Sequence, residues 1–511
     1  MYAQVDRSWQ LGMLAKDMAR GRLRRKRAGD QDRLPLVERM GALHGLPQKI
    51  GQILSLSELS REDQTYTPLT EYRATLPAPA AFAEMEKQLG RPLDAYFRQM
   101  DDTGISASIG QVHRAVLHDG RKVAVKVQYP DIAESVRLDL RALGWLTAPM
   151  GGLKRGFDLK SYQREVGSML EEELDYRHEA LMIKQFAAST AEWDDVEVPA
   201  VIEELSGDRI LTMTWVEGEP FSAVRRWPAE TRRQLSRTLL RLFLAGCFRW
   251  GTLHADPHPG NYRFRQQNGR ATVGLLDFGC VKRIDEDLRN ELAGLLEDVI
   301  EGRIEQSADR ALARYAGMGF RQDMLEPIAH LLAPLSRVLF EPFHAPQPFS
   351  LASWSLGKGV EQILGNFRWN FRFAGPAHLI FLVRAYQGLI QYLQALDTPI
   401  DWREAWEETR QDCTPSLEPA QSARQESRGA MKSKSLRIRV SENKRMKVDL
   451  TFGARCAENL SDLIPPELQE KLRQRSIDID ETVRKVVASD FEPMELFQLE
   501  EGSKSVRVWL E

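Results

Sequence analysis

The 511 residues include only four cysteines, Cys247, Cys280, Cys413 and Cys456. None forms a Cys-x-x-Cys pair, so neither a zinc ribbon nor a disulfide framework is indicated, and free thiols suit a reducing cytosol. A charge excess of either sign is also missing. The 70 basic and 73 acidic residues leave a net charge of −3, which offers no global field for nucleic acid. Long apolar runs are absent as well. The first ten residues are polar and no signal-peptide core follows. Nothing reaches the roughly 18 apolar residues of a membrane span. Arg241 interrupts Leu239–Phe248, and Arg384 and Gln387 interrupt Leu379–Leu396, so both read as buried helices. These absences imply a cytoplasmic chain, at most peripheral to the inner membrane. A basic cluster at Arg22, Arg24, Arg25, Lys26 and Arg27 reads first as a solvated helix face and second as a contact for anionic lipid.

What is present is a globular composition, 42% apolar and 28% charged, in a chain long enough for about three domains. Residues 1–100 carry helical spacing, as at Leu43, Leu46, Ile50 and Leu54. The period then becomes two. Gln111–Leu117 and Lys122–Gln128 flank an Asp119-Gly120 turn and predict a hairpin, with Val123, Val125 and Val127 on one face and Ala124 and Lys126 on the other. A helix is expected at Leu159–Phe186 and strand at Val201–Val216. A helix with the stripe Leu235, Leu239, Leu242 and Phe243 follows. His254–Tyr262 reads as irregular, Ala271–Leu276 as strand, and the remainder to Gln411 as helix. Residues 413–434 read as a linker. Residues 435–511 read as a separate small α+β appendage, with a basic hairpin at Leu436–Val440 and Met446–Leu450, two short helices and a last strand at Val506–Leu510. That hairpin suits a solvated sheet face or an anionic partner.

Four motifs occur in an order that suits phosphoryl transfer, which needs a cation on the phosphates, oxygen ligands for magnesium and a group that orients the acceptor. Val123-Ala124-Val125-Lys126 matches the strand-lysine motif, and Glu173 on the next helix is the expected ion-pair partner of Lys126. A strand lysine alone is more often merely solvated. His254-Ala255-Asp256-Pro257-His258-Pro259-Gly260-Asn261 stands where a catalytic loop is expected, with Asn261 five positions after Asp256. Asp256 would orient or deprotonate an acceptor, and Asn261 would bind magnesium. Leu276-Asp277-Phe278-Gly279 follows, with Asp277 as the second magnesium ligand sixteen positions after Asn261. A loop or a DFG triplet in isolation is weak, but the ordered set is specific. The expected fold is α+β: a two-lobed protein-kinase-like fold with an N-lobe at 101–216 and a helical C-lobe at 217–412. Two features depart from an ordinary protein kinase. Ala255 replaces the arginine of the His-Arg-Asp motif, and the loop Gly104–Gln111 lacks the G-x-G-x-x-G pattern.

With these motifs the chain resembles the UbiB/AarF family of unorthodox kinase-like proteins from about residue 35 to about residue 410. Lys49-Ile50-Gly51-Gln52 resembles the family's Lys-x-Gly-Gln signature, Ala107–His113 the end of its alanine-rich loop, and Glu173–Ala180 its Glu-x-Asp motif. Lys126–Pro130 looks like the mitochondrial branch. The resemblance implies that Lys49 and Gln52 gate the site beside Glu173 and Asp175, shielding it from protein substrates. It implies a nucleotide site lined by Ala107, Ser108, Ile109, Gly110, Val112 and Lys126, with a hinge at Met213, Trp215 and Val216. ATP (or ADP) and Mg2+ are the implied cofactors. Quinone precursors, peripheral membrane lipid or a biosynthetic-enzyme complex are the implied partners, without nucleic acid. Ile105, Ser106 and Thr214 depart from the family pattern of two alanines and a glutamate. The leading expectation is an ATP-dependent enzyme, kinase or ATPase, supporting ubiquinone or isoprenoid-lipid biosynthesis. The alternatives are a small-molecule phosphotransferase of the aminoglycoside or choline kinase type, and a low-turnover nucleotide-sensing scaffold.

Overall fold

The computed structural model describes residues 76–107, 109–134, 136–137 and 159–411 apart from 346, 347 and 353. It also describes 433–511 apart from 434, 444, 455, 456, 458, 459, 461–463, 465–471 and 476. The basic cluster at 22–27, Lys49, Gln52, Ser108, Cys413, Cys456 and most of the 413–434 segment lie outside the described residues. The described residues form two compact units. The first takes those up to 149 together with Val166–Thr231 and Asp256–Val281. The second takes those of 150–165 together with Arg232–Ala255 and Lys282–Glu511.

In the first unit, α1 (Ala78–Leu89) ends at Gly90, whose φ of +78° closes the helix in the left-handed conformation. The strands β1 (Phe97–Met100), β2 (Ile105–Ser106), β3 (Gly110–Leu117) and β4 (Lys122–Gln128) follow. The β3–β4 hairpin forms as expected. Gly120 turns with φ +89°, its N–H donates to the Leu117 carbonyl at 3.0 Å, and Asp119 Oδ1 accepts from the Arg121 N–H at 2.9 Å. Val123, Val125 and Val127 pack into one core with Met85, Phe97 and Ala115. Lys126 therefore points to the opposite face, as a period of two requires.

The single helix expected over 159–186 is two. The helix α2 (Leu159–Glu173) stops, and α3 (Tyr176–Ser189) restarts after an extended Asp175 whose carboxylate accepts from the N–H groups of Arg177 and His178. The cap satisfies donors that a new helix leaves orphaned, so the break is encoded by Asp175. A short β5 (Val196–Glu197) leads on to β6 (Ile210–Thr214). The sheet order is β1-β3-β4-β6, all antiparallel, with β2 on β3.

The helix α4 (Ala229–Leu244) buries Leu235, Leu239 and Leu242 on one stripe. The strand β7 (Thr252–His254) leads into the Asp256–Asn261 loop. Then β8 (Tyr262–Gln267) and β9 (Arg270–Leu275) pair through Asn268 and Gly269, with φ +51° and +75°. β8 is a strand where the sequence reading saw none. Its alternating buried Tyr262 and Phe264 and the Asn-Gly turn carried the signal.

In the second unit, β10 (Val281–Arg283) enters a helical array. The helices α5 (Glu286–Ile300) and α6 (Ala308–Gly317) are joined through buried Asp298. Asp298 accepts from Arg303, Arg310 and Arg314, each Nε at 2.8 Å, and Arg314 also reaches Glu291 at 3.0 Å. The helix α7 (Leu379–Leu396) is largely buried, Arg384 and Gln387 included, with Val383 exposed. Among the described residues no helix is long and apolar enough to cross a membrane. The C-terminal residues form a sheet in the order β12-β11-β14-β13 from β11 (Ser435–Glu442), β12 (Arg445–Gly453), β13 (Glu495–Glu501) and β14 (Lys504–Leu510). The hairpin is as expected, but the appendage is not separate. Leu436, Phe452, Phe497 and Leu510 share one core with Leu295, Tyr315, Ile328 and Leu332 of the helices, and the Asn370 side chain bonds the Thr451 backbone. An alternating strand needs a cover for its apolar face, and here the helices supply it.

Candidate nucleotide site

The site lies within the first unit. Lys126 on β4 is 5% exposed and Glu179 on α3 is 1% exposed. The Lys126 ammonium donates to both Glu179 oxygens at 2.8 Å and to Asp277 Oδ2 at 3.0 Å. All three of its donors are thereby used. The face of Tyr176 lies 5.1 Å below the same ammonium. Burial works against the charged lysine, but Asp277 and Glu179 outweigh it and hold its pKa well above the ordinary range.

The expected partner Glu173 is therefore corrected to Glu179. Glu173 ends α2 and is buried, with its Cγ 3.5 Å from where a Cβ on Gly279 would stand. The helix restart at Tyr176 places Glu179 one turn into α3, facing Lys126. Glu179 Oε1 also accepts from the Phe278 N–H at 3.2 Å. One carboxylate thus ties the strand lysine to the Asp-Phe-Gly segment. The Phe278 ring is fully buried, edge-on to Phe186 at 5.3 Å, and Asp277 Oδ1 accepts from the Gly279 N–H at 2.9 Å.

Asp256 is 5% exposed, and its Oδ2 accepts from Asn261 Nδ2 at 2.9 Å. The Asn261 carbonyl accepts from the Leu276 N–H at 2.9 Å, which fixes the loop to the residue preceding Asp277. His258 caps the short 3-10 turn Pro259–Asn261 by accepting from the Gly260 N–H. The donor set fits magnesium. Asp277 offers a carboxylate, and Asn261 an amide oxygen once its nitrogen is held by Asp256. Among the described residues no group of three or more His, Cys, Asp or Glu forms a metal cage.

The Ala107 N–H donates to the Gly110 carbonyl at 2.8 Å. A Cβ at Gly110 would stand 2.2 Å from the Val127 carbonyl oxygen, so only glycine fits. The Ile109 side chain is 1% exposed, while half-buried Val112 lies across the ladder from Lys126. Met213 and Val216 are buried, and Val216 packs on Gly274, where a Cβ would come within 2.4 Å. The Trp215 N–H donates to the Lys122 carbonyl at 3.0 Å and its ring carries Arg114. Asp175 is exposed and serves as the α3 cap. Lys49, Gln52 and Ser108 lie outside the described residues.

A strand lysine paired to a helix glutamate, next to an Asp/Asn loop and Asp-Phe-Gly, defines a protein-kinase-like domain. Residues 71–309 match the ABC1 atypical kinase-like domain, and the chain is similar to several proteins that are named as atypical kinases. It is 27% identical over 336 residues to the "Atypical kinase coq-8, mitochondrial" of Caenorhabditis elegans, covering 64% of this chain and 44% of that protein. It is 31% identical over 258 residues to the "Atypical kinase COQ8, mitochondrial" of Saccharomyces cerevisiae, covering 49% and 51%. The chain spans about half the length of these curated relatives. The fold matches a solved complex of Rv3197 with erythromycin from Mycobacterium tuberculosis, at a TM-score of 0.50 and 27% identity, over 74% of this chain and 94% of that one.

Proposed function

We propose that the chain binds a magnesium-complexed ATP, or ADP, beside Lys126 and acts as an ATP-dependent phosphotransferase or ATPase supporting ubiquinone or isoprenoid-lipid biosynthesis. The link from Lys126 through Glu179 to the Phe278 amide carries this reading. It holds the ammonium and the Asp277 segment in one arrangement, and preorganised charge is what phosphoryl transfer asks of a protein.

The roles follow from the geometry. Lys126 presents its charge to the phosphates. Because its three donors are engaged, a phosphate oxygen must share or replace one, and half-buried Asp277 is the partner most readily exchanged. Asp277 and Asn261 would hold the magnesium, which supplies charge neutralisation on the phosphates. Asp256, kept in place by Asn261, orients an acceptor hydroxyl or water. The Ala107–Gly110 turn covers the phosphates with backbone. The resemblance to UbiB proteins supports acceptors among quinone precursors or membrane lipid, met peripherally or in a biosynthetic complex. Ala255 in place of the loop arginine leaves no residue at that position to read a phosphorylated activation loop.

The test is ATP binding and hydrolysis by the purified chain, with and without anionic liposomes and phenolic quinone precursors. Asp277→Asn is expected to lose magnesium-dependent ATP binding. Unchanged affinity in that variant would refute the metal assignment. Binding without turnover under every condition would favour the scaffold.

A further inference from the structure

Tyr176 opens α3 and is fully buried. Its ring carries the Lys126 ammonium on one face. Its hydroxyl meets the phosphate-covering turn, where a Cβ on Gly110 would stand 3.0 Å from it. Among the described residues the hydroxyl oxygen nevertheless has no hydrogen-bond partner. A buried tyrosine hydroxyl ordinarily finds a partner, and leaving it without one is unfavourable. Phenylalanine would fill the same space and carry the same ammonium without that penalty, so packing does not account for the oxygen. Burial pushes the phenol pKa up, against an opposing pull from Lys126, and the group stays a protonated donor. Gly110 has no side chain to cover it.

Lys126 and Gly110 bracket the space assigned above to phosphates. We propose that Tyr176 is a further ligand-binding residue of this site, its hydroxyl donating to a phosphate oxygen held between Lys126 and Gly110. The assignment rests on the nucleotide reading. It adds a neutral donor that discriminates phosphorylated from unphosphorylated ligands.

Tyr176→Phe in the full chain tests it, by calorimetric titration with ATP-Mg and with adenosine. The variant keeps the ring and the cation–π contact. ATP-Mg affinity is expected to fall about 10- to 100-fold, in the range for a hydrogen bond to a charged group. Adenosine affinity should stay constant, and the ligand-free melting temperature should hold or rise. Unchanged ATP-Mg affinity, or equal losses for ATP-Mg and adenosine, overturns the assignment while leaving the nucleotide reading intact. Absence of nucleotide binding by the unaltered chain overturns both.

Discussion

Glu179→Gln removes a buried charge without opening a cavity, because the two side chains are nearly isosteric. Both Glu179 oxygens lie 2.8 Å from the Lys126 ammonium. At an effective dielectric of about 20, a charge pair at that distance attracts by about 6 kcal/mol. Much of this offsets the cost of burying the carboxylate, and removing one member of a buried pair costs about 3–5 kcal/mol. Two features lower that figure here. Asp277 still holds Lys126 at 3.0 Å, and glutamine keeps one acceptor oxygen. The expected loss is about 2–3 kcal/mol of local stability. The Phe278 amide reports it, since that N–H donates to Glu179 Oε1. Hydrogen exchange of a peptide spanning Asp277–Cys280 should accelerate about 30- to 150-fold, at 1.4 kcal/mol per decade. ATP turnover should fall with it. Glu173→Gln is the control and should change exchange there less than about fivefold. Equal acceleration in both variants, or none in Glu179→Gln, would refute the assignment of Glu179 as the Lys126 partner.

Two further outcomes follow from the same geometry. Gly110→Ala places a Cβ 2.2 Å from the Val127 backbone oxygen, which has no rotamer to yield. It should destabilise the chain by about 1–3 kcal/mol in chemical denaturation and lower ATP-Mg affinity, whereas Gly120→Ala, with open space at its Cβ, should leave affinity intact. Asp298 gives a pH signature. Burial raises its pKa, but Arg310, Arg314 and Arg303 overcome that and hold it below the ordinary carboxylate value of 3.8. A lowered carboxyl contributes stability above its unfolded pKa and loses it as pH falls through the folded value. Asp298→Asn should therefore lower the melting temperature at neutral pH and flatten its decline below about pH 4.

The elements read most readily from sequence were those set by local pattern. Alternating valines marked β4 and put Lys126 on its own face, and the Asp119-Gly120 turn marked the hairpin. The spacing of Asp256, Asn261 and Asp277 brought the loop residues together. Glu179 escaped because Leu159–Phe186 reads as one unbroken helix, whereas Asp175 caps a second one. A capping aspartate there resets the phase, and the glutamate one turn into the second helix becomes the partner. The Asn268-Gly269 turn and the Tyr262/Phe264 alternation held β8 openly, yet polar neighbours masked it. The shared core under β11–β14 escaped for a different reason. Periodicity shows that Leu436 and Phe452 face inward, but not which distant surface covers them.

The seat of Phe278 bears on the choice of chemical probes. Compounds that require this ring to swing out must break its edge contact with Phe186 and the amide bond to Glu179, and must expose a side chain whose burial contributes about 2–3 kcal/mol. Compounds confined to the space beside Lys126 face no such cost. Small-molecule screens against this chain therefore favour ligands of the second kind.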